Sequence, residues 1–134
     1  MNRTFTIFQV KWSEYLLVIL LISIFSCGSS STPNLPDPLE AGWEGQSVCE
    51  VLEENAEVRI LKCTFAPGVG HEKHYHAPHV GYTLHGGKFR ITSSGKTKEV
   101  DVPTGSTFSN EEVTTHEVLN IGKTKAEFLI IEYK

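Results

Sequence analysis

From Gln46 to Lys134 no stretch of the chain carries the 3.6-residue apolar period of a helix; short β-rich runs alternate with turn residues instead. That pattern restricts the body of the protein to an all-β fold. Ser47–Leu52 and Val58–Phe65 form a first pair of strands, after which Pro67-Gly68-Val69-Gly70 breaks the chain. Val80–Leu84 ends at Gly86-Gly87, and Lys88–Ser93 and Thr97–Val102 flank Ser94-Gly95, a hairpin signal. Pro103-Thr-Gly105 turns once more, and His116–Ile121 and Ala126–Tyr133 flank Gly122-Lys123. So many short strands in about ninety residues imply a sandwich or small barrel, because closure removes edges that so small a sheet leaves open.

The N-terminus reads differently. Arg3 and Lys11 precede the apolar run Leu16–Phe25, which is too short to cross a bilayer comfortably and fits the h-region of a secretory signal. The run stops at Ile24-Phe-Ser-Cys27-Gly-Ser-Ser-Ser, which looks like a bacterial lipobox with Cys27 as the lipidated residue. An uncleaved signal anchor and a plain secreted protein are the competing readings. The lipoprotein is preferred because the cysteine falls where the apolar run ends and small residues begin. Residues 1–27 are thus expected to be a signal peptide with lipobox, 28–45 a flexible Ser/Pro/Gly tether, and 46–134 the folded β-barrel. The expected location is the bacterial cell envelope: exported, lipid-anchored and, with Gly28 after the cysteine, on the periplasmic side of the outer membrane if the cell is Gram-negative.

Beyond Cys27 the chain keeps 10 Lys+Arg against 15 Asp+Glu, a net charge of −5, with no basic run. Nucleic acid is not an expected partner, because phosphate binding depends on clustered cations. Cys49 and Cys63 lie symmetrically about Ala56 in a hairpin-like stretch. Outside the cytoplasm they form either a disulfide, which contributes about 3 kcal/mol by closing a fifteen-residue loop, or two buried thiols.

Chemistry is concentrated in the histidines. Five of the six fall between His71 and His85, in His71-Glu-Lys-His74-Tyr-His76-Ala-Pro-His79 and at His85; the sixth is His116. Imidazole is the commonest protein ligand for divalent transition metals, and His-x-His on a strand aims both rings at one face. A zincin reading of His71-Glu72 fails, because the position four residues on is Tyr75 and no helix is expected there.

These residues resemble the cupin family of small jelly-roll barrels that often hold one metal. Pro67-Gly68 and Gly70 before His74-Tyr-His76, then Tyr82-Thr-Leu-His-Gly86, are similar to the first cupin motif; Pro103-Thr-Gly105 and His116-Glu-Val-Leu-Asn120 are similar to the second. The resemblance covers nearly all of 46–134. It implies a single cupin-type jelly-roll barrel with metal ligands His74, His76 and His116, and with His79 where the family usually has Glu. His79 has a rival role as an imidazole that supports a metal ligand from behind or contacts the substrate. Ten residues separate Gly105 from His116, more than the family pattern has, so Ser106–Thr115 is expected to be a loop near the barrel mouth.

The strand through His79 is expected to place Gly81, Thr83 and His85 on its inner face, with Gly81 and Thr83 leaving interior space for a ligand. His71 and His85 are expected to be ordinary polar residues at a turn or rim. An all-imidazole site leaves the charge of its ion (Fe, Zn, Ni, Mn or Cu) uncompensated and favours anionic ligands. The expected function is a metal-dependent enzyme acting on a small carbonyl or carboxylate compound, of oxygenase or Lewis-acid type; the alternative is a non-catalytic metal or small-ligand binding module. Glu111, Glu112, Glu117 and Tyr82 are candidates for acid–base or rim contacts, but no catalytic residue is assigned. A small-molecule ligand and a membrane reached through the lipid anchor are the expected partners; the residues leave the oligomeric state open, and only the cupin resemblance implies a homodimer formed by sheet contacts.

Overall fold

The computed structural model describes residues 33–134; the signal segment, Cys27 and residues 28–32 lie outside them. Nine strands run β1 (Cys49–Glu54), β2 (Val58–Phe65), β3 (Gly70–His76), β4 (His79–His85), β5 (Gly87–Ser93), β6 (Lys96–Val102), β7 (Thr107–Asn110), β8 (Thr114–Asn120) and β9 (Ala126–Tyr133). They form two sheets, β1-β2-β9-β4-β7 and β3-β8-β5-β6, antiparallel throughout. The pairs β2·β9, β3·β8, β4·β7 and β5·β6 are nested, as when one long hairpin is rolled up on itself. This is jelly-roll topology, with β1 added at one edge.

The innermost hairpin turns at Ser94 and Gly95, both with positive φ (51° and 73°), the two-residue geometry whose twist matches antiparallel strands. The two sheets face each other across a core of Leu61, Phe65, Phe89, Phe128 and Ile130. Phe65, Phe89 and Phe128 pack edge-to-face, with ring centroids 5.4–5.9 Å apart.

Three expectations change here. Ser106–Thr115 is not an open loop: Thr107–Asn110 pairs with β4 as β7, and the chain returns as β8 from Thr114. Backbone pairing at the sheet edge supports this strand, although its sequence, Thr-Phe-Ser-Asn, offers little apolar alternation. Gly81 does not leave space for a ligand, because the Phe108 ring from β7 lies over it where a Cβ would stand. Residues 36–43, expected within the tether, lie along the open edge of β3. There Tyr75 N–H donates to Pro36 O (3.1 Å) and Glu72 N–H to Gly42 O (2.8 Å), while Pro38 and Ala41 are buried. That lining satisfies edge donors that would otherwise face solvent.

Register then sorts polar from apolar. One row across the first sheet reads Arg59, Glu132, His79, Asn110; the next inward-facing row reads Leu61, Ile130, Gly81, Phe108. The polar row lies at the end of the barrel that receives the histidines.

Candidate metal centre

β3 and β8 bring His74 and His116 directly opposite each other, and His76 follows two residues on, on the same face. The ligating nitrogens of His74, His76 and His116 all lie within 4.8 Å of one another. His74 and His76 are buried, and His116 is half-buried.

The hydrogen bonds determine which nitrogens are free. His74 Nδ1 faces the Glu72 carbonyl at 2.6 Å, so it carries the proton and donates. His76 Nδ1 donates to Glu132 Oε1 at 2.8 Å. In neutral rings both Nε2 atoms are then bare, yet they face each other at 2.9 Å. Two lone pairs at that distance repel unless a proton or a metal ion lies between them. Opposite His76 in the same ladder, Thr114 Oγ1 is buried with no partner, the one such side-chain atom among the described residues. Three converging imidazoles, with an unpartnered hydroxyl on the same rung as His76, fit a divalent transition metal.

Electrostatics favour neutral rings at His74 and His116. Burial lowers His74 to about 2 and His116 to about 3, and repulsion from the neighbouring imidazoles adds to both shifts. Burial alone would raise Glu132, but hydrogen bonds from His76 and Arg59 hold it below the ordinary carboxylate range. Arg59 donates to Glu132 Oε2 through Nε (2.9 Å) and Nη2 (2.6 Å), and to Asp37 Oδ2 through Nη1 (2.8 Å). The chain Asp37–Arg59–Glu132–His76 therefore sets the orientation and tautomer of one imidazole of the trio, the usual task of a carboxylate behind a ligating histidine.

His79 stands beside the trio and outside it. Its ring centroid is 4.8 Å from that of His76. Its Nδ1 donates to Ala77 O (2.8 Å), and its Nε2 accepts from Asn110 Nδ2 (3.2 Å), so both nitrogens are engaged by the protein.

His71 is not at a rim. It is 2 % exposed and stacks on His74 with centroids 3.8 Å apart, and its Nε2 donates to Pro38 O at 3.1 Å. The cause is a bulge. Between the pairs His71↔Val118 and His74↔His116, β3 spends three steps against two on β8, so both histidines face inward despite their odd spacing. A second irregularity, between Thr83 and His85, turns His85 out of the face it was expected to share with His79, Gly81 and Thr83. His85 is exposed and pairs with Glu127 at 2.7 Å.

Cys49 and Cys63 are cross-strand partners joined by a disulfide (S–S 2.02 Å), with Cys49 Sγ 4.0 Å from His71 Nδ1. Asn120 is a structural residue: its Nδ2 donates to Phe65 O and Thr124 O, and its Oδ1 accepts from Gly122 N–H, each at 2.9 Å. Glu111, Glu112, Glu117 and Tyr82 are exposed and do not border the interior cavity.

That cavity, about 460 Å³, is bounded by His76, His79 and His116 on one side and by Phe65, Phe89 and Phe128 on another. Sequence reasoning missed Glu132 and Arg59. A signal for Glu132 exists, since it shares strand parity with the core residues Phe128 and Ile130. A carboxylate on the buried face of a strand requires a partner.

No family model and no curated protein matches this chain. Among solved structures it is similar to a cupin domain from Bordetella pertussis, with a TM-score of 0.61 and 23 % identity, covering 65 % of this chain and 92 % of that one. It is similar to a predicted oxalate decarboxylase from Thermotoga maritima, with a TM-score of 0.52 and 22 % identity, covering 79 % and 96 %. The polyketide cyclase RemF from Streptomyces resistomycificus gives a TM-score of 0.50 at 17 % identity, with 63 % of each chain covered. At these identities the likeness establishes the fold, a cupin-type barrel.

Proposed function

We propose that this chain is an envelope-anchored, metal-dependent enzyme acting on a small carbonyl or carboxylate compound, by oxygenation or Lewis-acid catalysis. One observation carries the reading: the nitrogens of His74, His76 and His116 converge within 4.8 Å beside an interior cavity. A divalent ion held there would polarise a bound water or carbonyl. The chain's own residues do the rest. Glu132 keeps His76 in the ligating tautomer, His79 borders the cavity with both nitrogens held by Ala77 and Asn110 and so shapes the space a substrate enters, and the phenylalanines keep water from the apolar side. The Thermotoga neighbour is described as a predicted oxalate decarboxylase, and oxalate is a small carboxylate.

A second reading, a non-catalytic binding module, draws on one feature of the same site. Glu132, the carboxylate bonded to the trio, is also held by Arg59, so it is not free to act as a base. Metal analysis of the full-length protein purified without a histidine tag, followed by oxygen-uptake and turnover screening across small carboxylates and phenols, separates the two. Bound metal with substrate-dependent turnover supports the enzyme, and tight metal without turnover supports the module.

The anchor belongs to the same proposal and rests on the basic leader, the apolar run and the position of Cys27. Cys27→Ser should release the protein from membranes or block its processing. Unchanged membrane retention with normal processing would contradict it.

A further inference from the structure

The cavity has a charged feature on the side away from the imidazole trio. One inward-facing row of the second sheet reads His71, Val118, Ile91, Lys98 across β3, β8, β5 and β6. Lys98 is exposed and borders the cavity, as does Asp101. Among the described residues, the lysines with carboxylate partners are Lys62, Lys88, Lys125 and Lys134, and Lys98 is not one of them. Asp101 is the register partner of Lys88 and has the opposite strand parity to Lys98. Between the Lys98 strand and the His116 strand lies only β5, whose Phe89 and Ile91 line the cavity wall. β6 therefore stands two strand spacings, about 10 Å, from β8. An ammonium at the rim of an apolar chamber attracts anions more strongly than one on an open surface, because low-dielectric walls focus its field.

We infer that the cavity binds an elongated amphipathic organic anion. Its aromatic or branched apolar body lies along Phe89, Ile91 and Val118, its acidic group meets Lys98, and its other end reaches the histidines. This names the substrate class of the proposed site and rests on that proposal only for the end at the imidazoles. A volume of about 460 Å³ lies within the range of small-molecule sites and accepts a body of one or two rings.

Calorimetric titration of the full chain with naphthalene-2-sulfonate and with its neutral analogue methyl 2-naphthyl sulfone tests it, in both metal-loaded and chelator-stripped protein. Sulfonate and sulfone are both poor metal ligands, and the two probes differ in charge and scarcely in shape. The sulfonate should bind about tenfold more tightly than the sulfone, the size of one charge-assisted contact. Lys98→Gln should abolish that preference while leaving sulfone affinity unchanged, Lys98→Arg should keep it, and chelation should not alter it. A preference that survives Lys98→Gln overturns the inference. If that surviving preference disappears on chelation, the anion sits on the metal, and the function proposed above stands while the role of Lys98 falls. Failure of both probes to bind also overturns it, whatever the metal content.

Discussion

Glu132 and His76, 56 residues apart in the chain, meet at 2.8 Å between Oε1 and Nδ1 in a setting where both side chains are almost fully buried. Arg59 holds the other carboxylate oxygen at 2.6 Å. Glu132→Ala leaves half-buried Arg59 beside Asp37 alone and His76 free to rotate or change tautomer. Such a loss should weaken metal binding by roughly 10- to 100-fold and, with Asp37 still paired to Arg59, destabilise the fold by about 1.5–3 kcal/mol. Glu132→Gln, which retains an acceptor for His76, should weaken metal binding less than Glu132→Ala. Competition titration against a chromophoric chelator, with melting curves alongside, checks both. Equal affinity in all three proteins would remove Glu132 from the site.

Acid should destabilise the metal-free protein. His71, His74 and His116 are held at about 4, 2 and 3, mainly because burial disfavours their charged forms. In the unfolded chain each returns to about 6.5. Between those values the unfolded state binds more protons, so stability rises with pH there. The contribution is complete above about 6.5 and is lost progressively as pH falls toward the folded values. Melting temperature after chelation should therefore be level near pH 7.5 and fall steadily below 6.5. A level profile down to pH 4.5 would contradict the burial of these rings as neutral imidazoles.

The disulfide should support the hairpin and not the metal. Cys49 and Cys63 are register partners, fourteen positions apart. Replacing both with alanine should cost about 2–3 kcal/mol, less than full loop-closure entropy if the β1·β2 hairpin persists in part when the rest unfolds. Urea denaturation measures the loss. Metal stoichiometry should be unchanged, because neither sulfur is among the converging ligand atoms.

Gly81→Ala should overpack the wall at Phe108, whose ring occupies the place of the new Cβ. The cost should be about 1–3 kcal/mol. Phe108→Ala should relieve it, so that the double variant is less destabilised than the sum of the two singles. Additivity in thermal denaturation would show that the two positions do not touch.

Two turns were legible because glycine marks them: Ser94-Gly95 closes the β5·β6 hairpin, and Gly122-Lys123 lies in the connection that carries the chain from β8 in one sheet to β9 in the other. His74 and His76 could be placed on one face because a strand repeats every two residues. Two bulges broke the same rule. The extra residue on β3 turned His71 inward to stack on His74, and the extra residue on β4 turned His85 outward to Glu127. A bulge is set by how two strands register, and neither strand encodes that alone. β7 escaped notice because a four-residue edge strand needs backbone pairing more than an apolar pattern. The Asp37–Arg59–Glu132 chain joins three distant segments, and only the parity of Glu132 with Phe128 and Ile130 hinted at it.

The most direct measurement is metal stoichiometry. Full-length protein without a histidine tag should be stripped with chelator, reloaded separately with Fe(II), Zn, Ni, Mn and Cu, desalted and analysed, alongside His116→Ala, with melting curves confirming that the variant folds. One ion per chain for at least one of these metals, with metal–nitrogen distances of about 2.0–2.1 Å for zinc by X-ray absorption, and loss of that ion in a folded His116→Ala protein, is the predicted result. No retained metal, or stoichiometric binding indifferent to His116, would contradict a centre built from His74, His76 and His116.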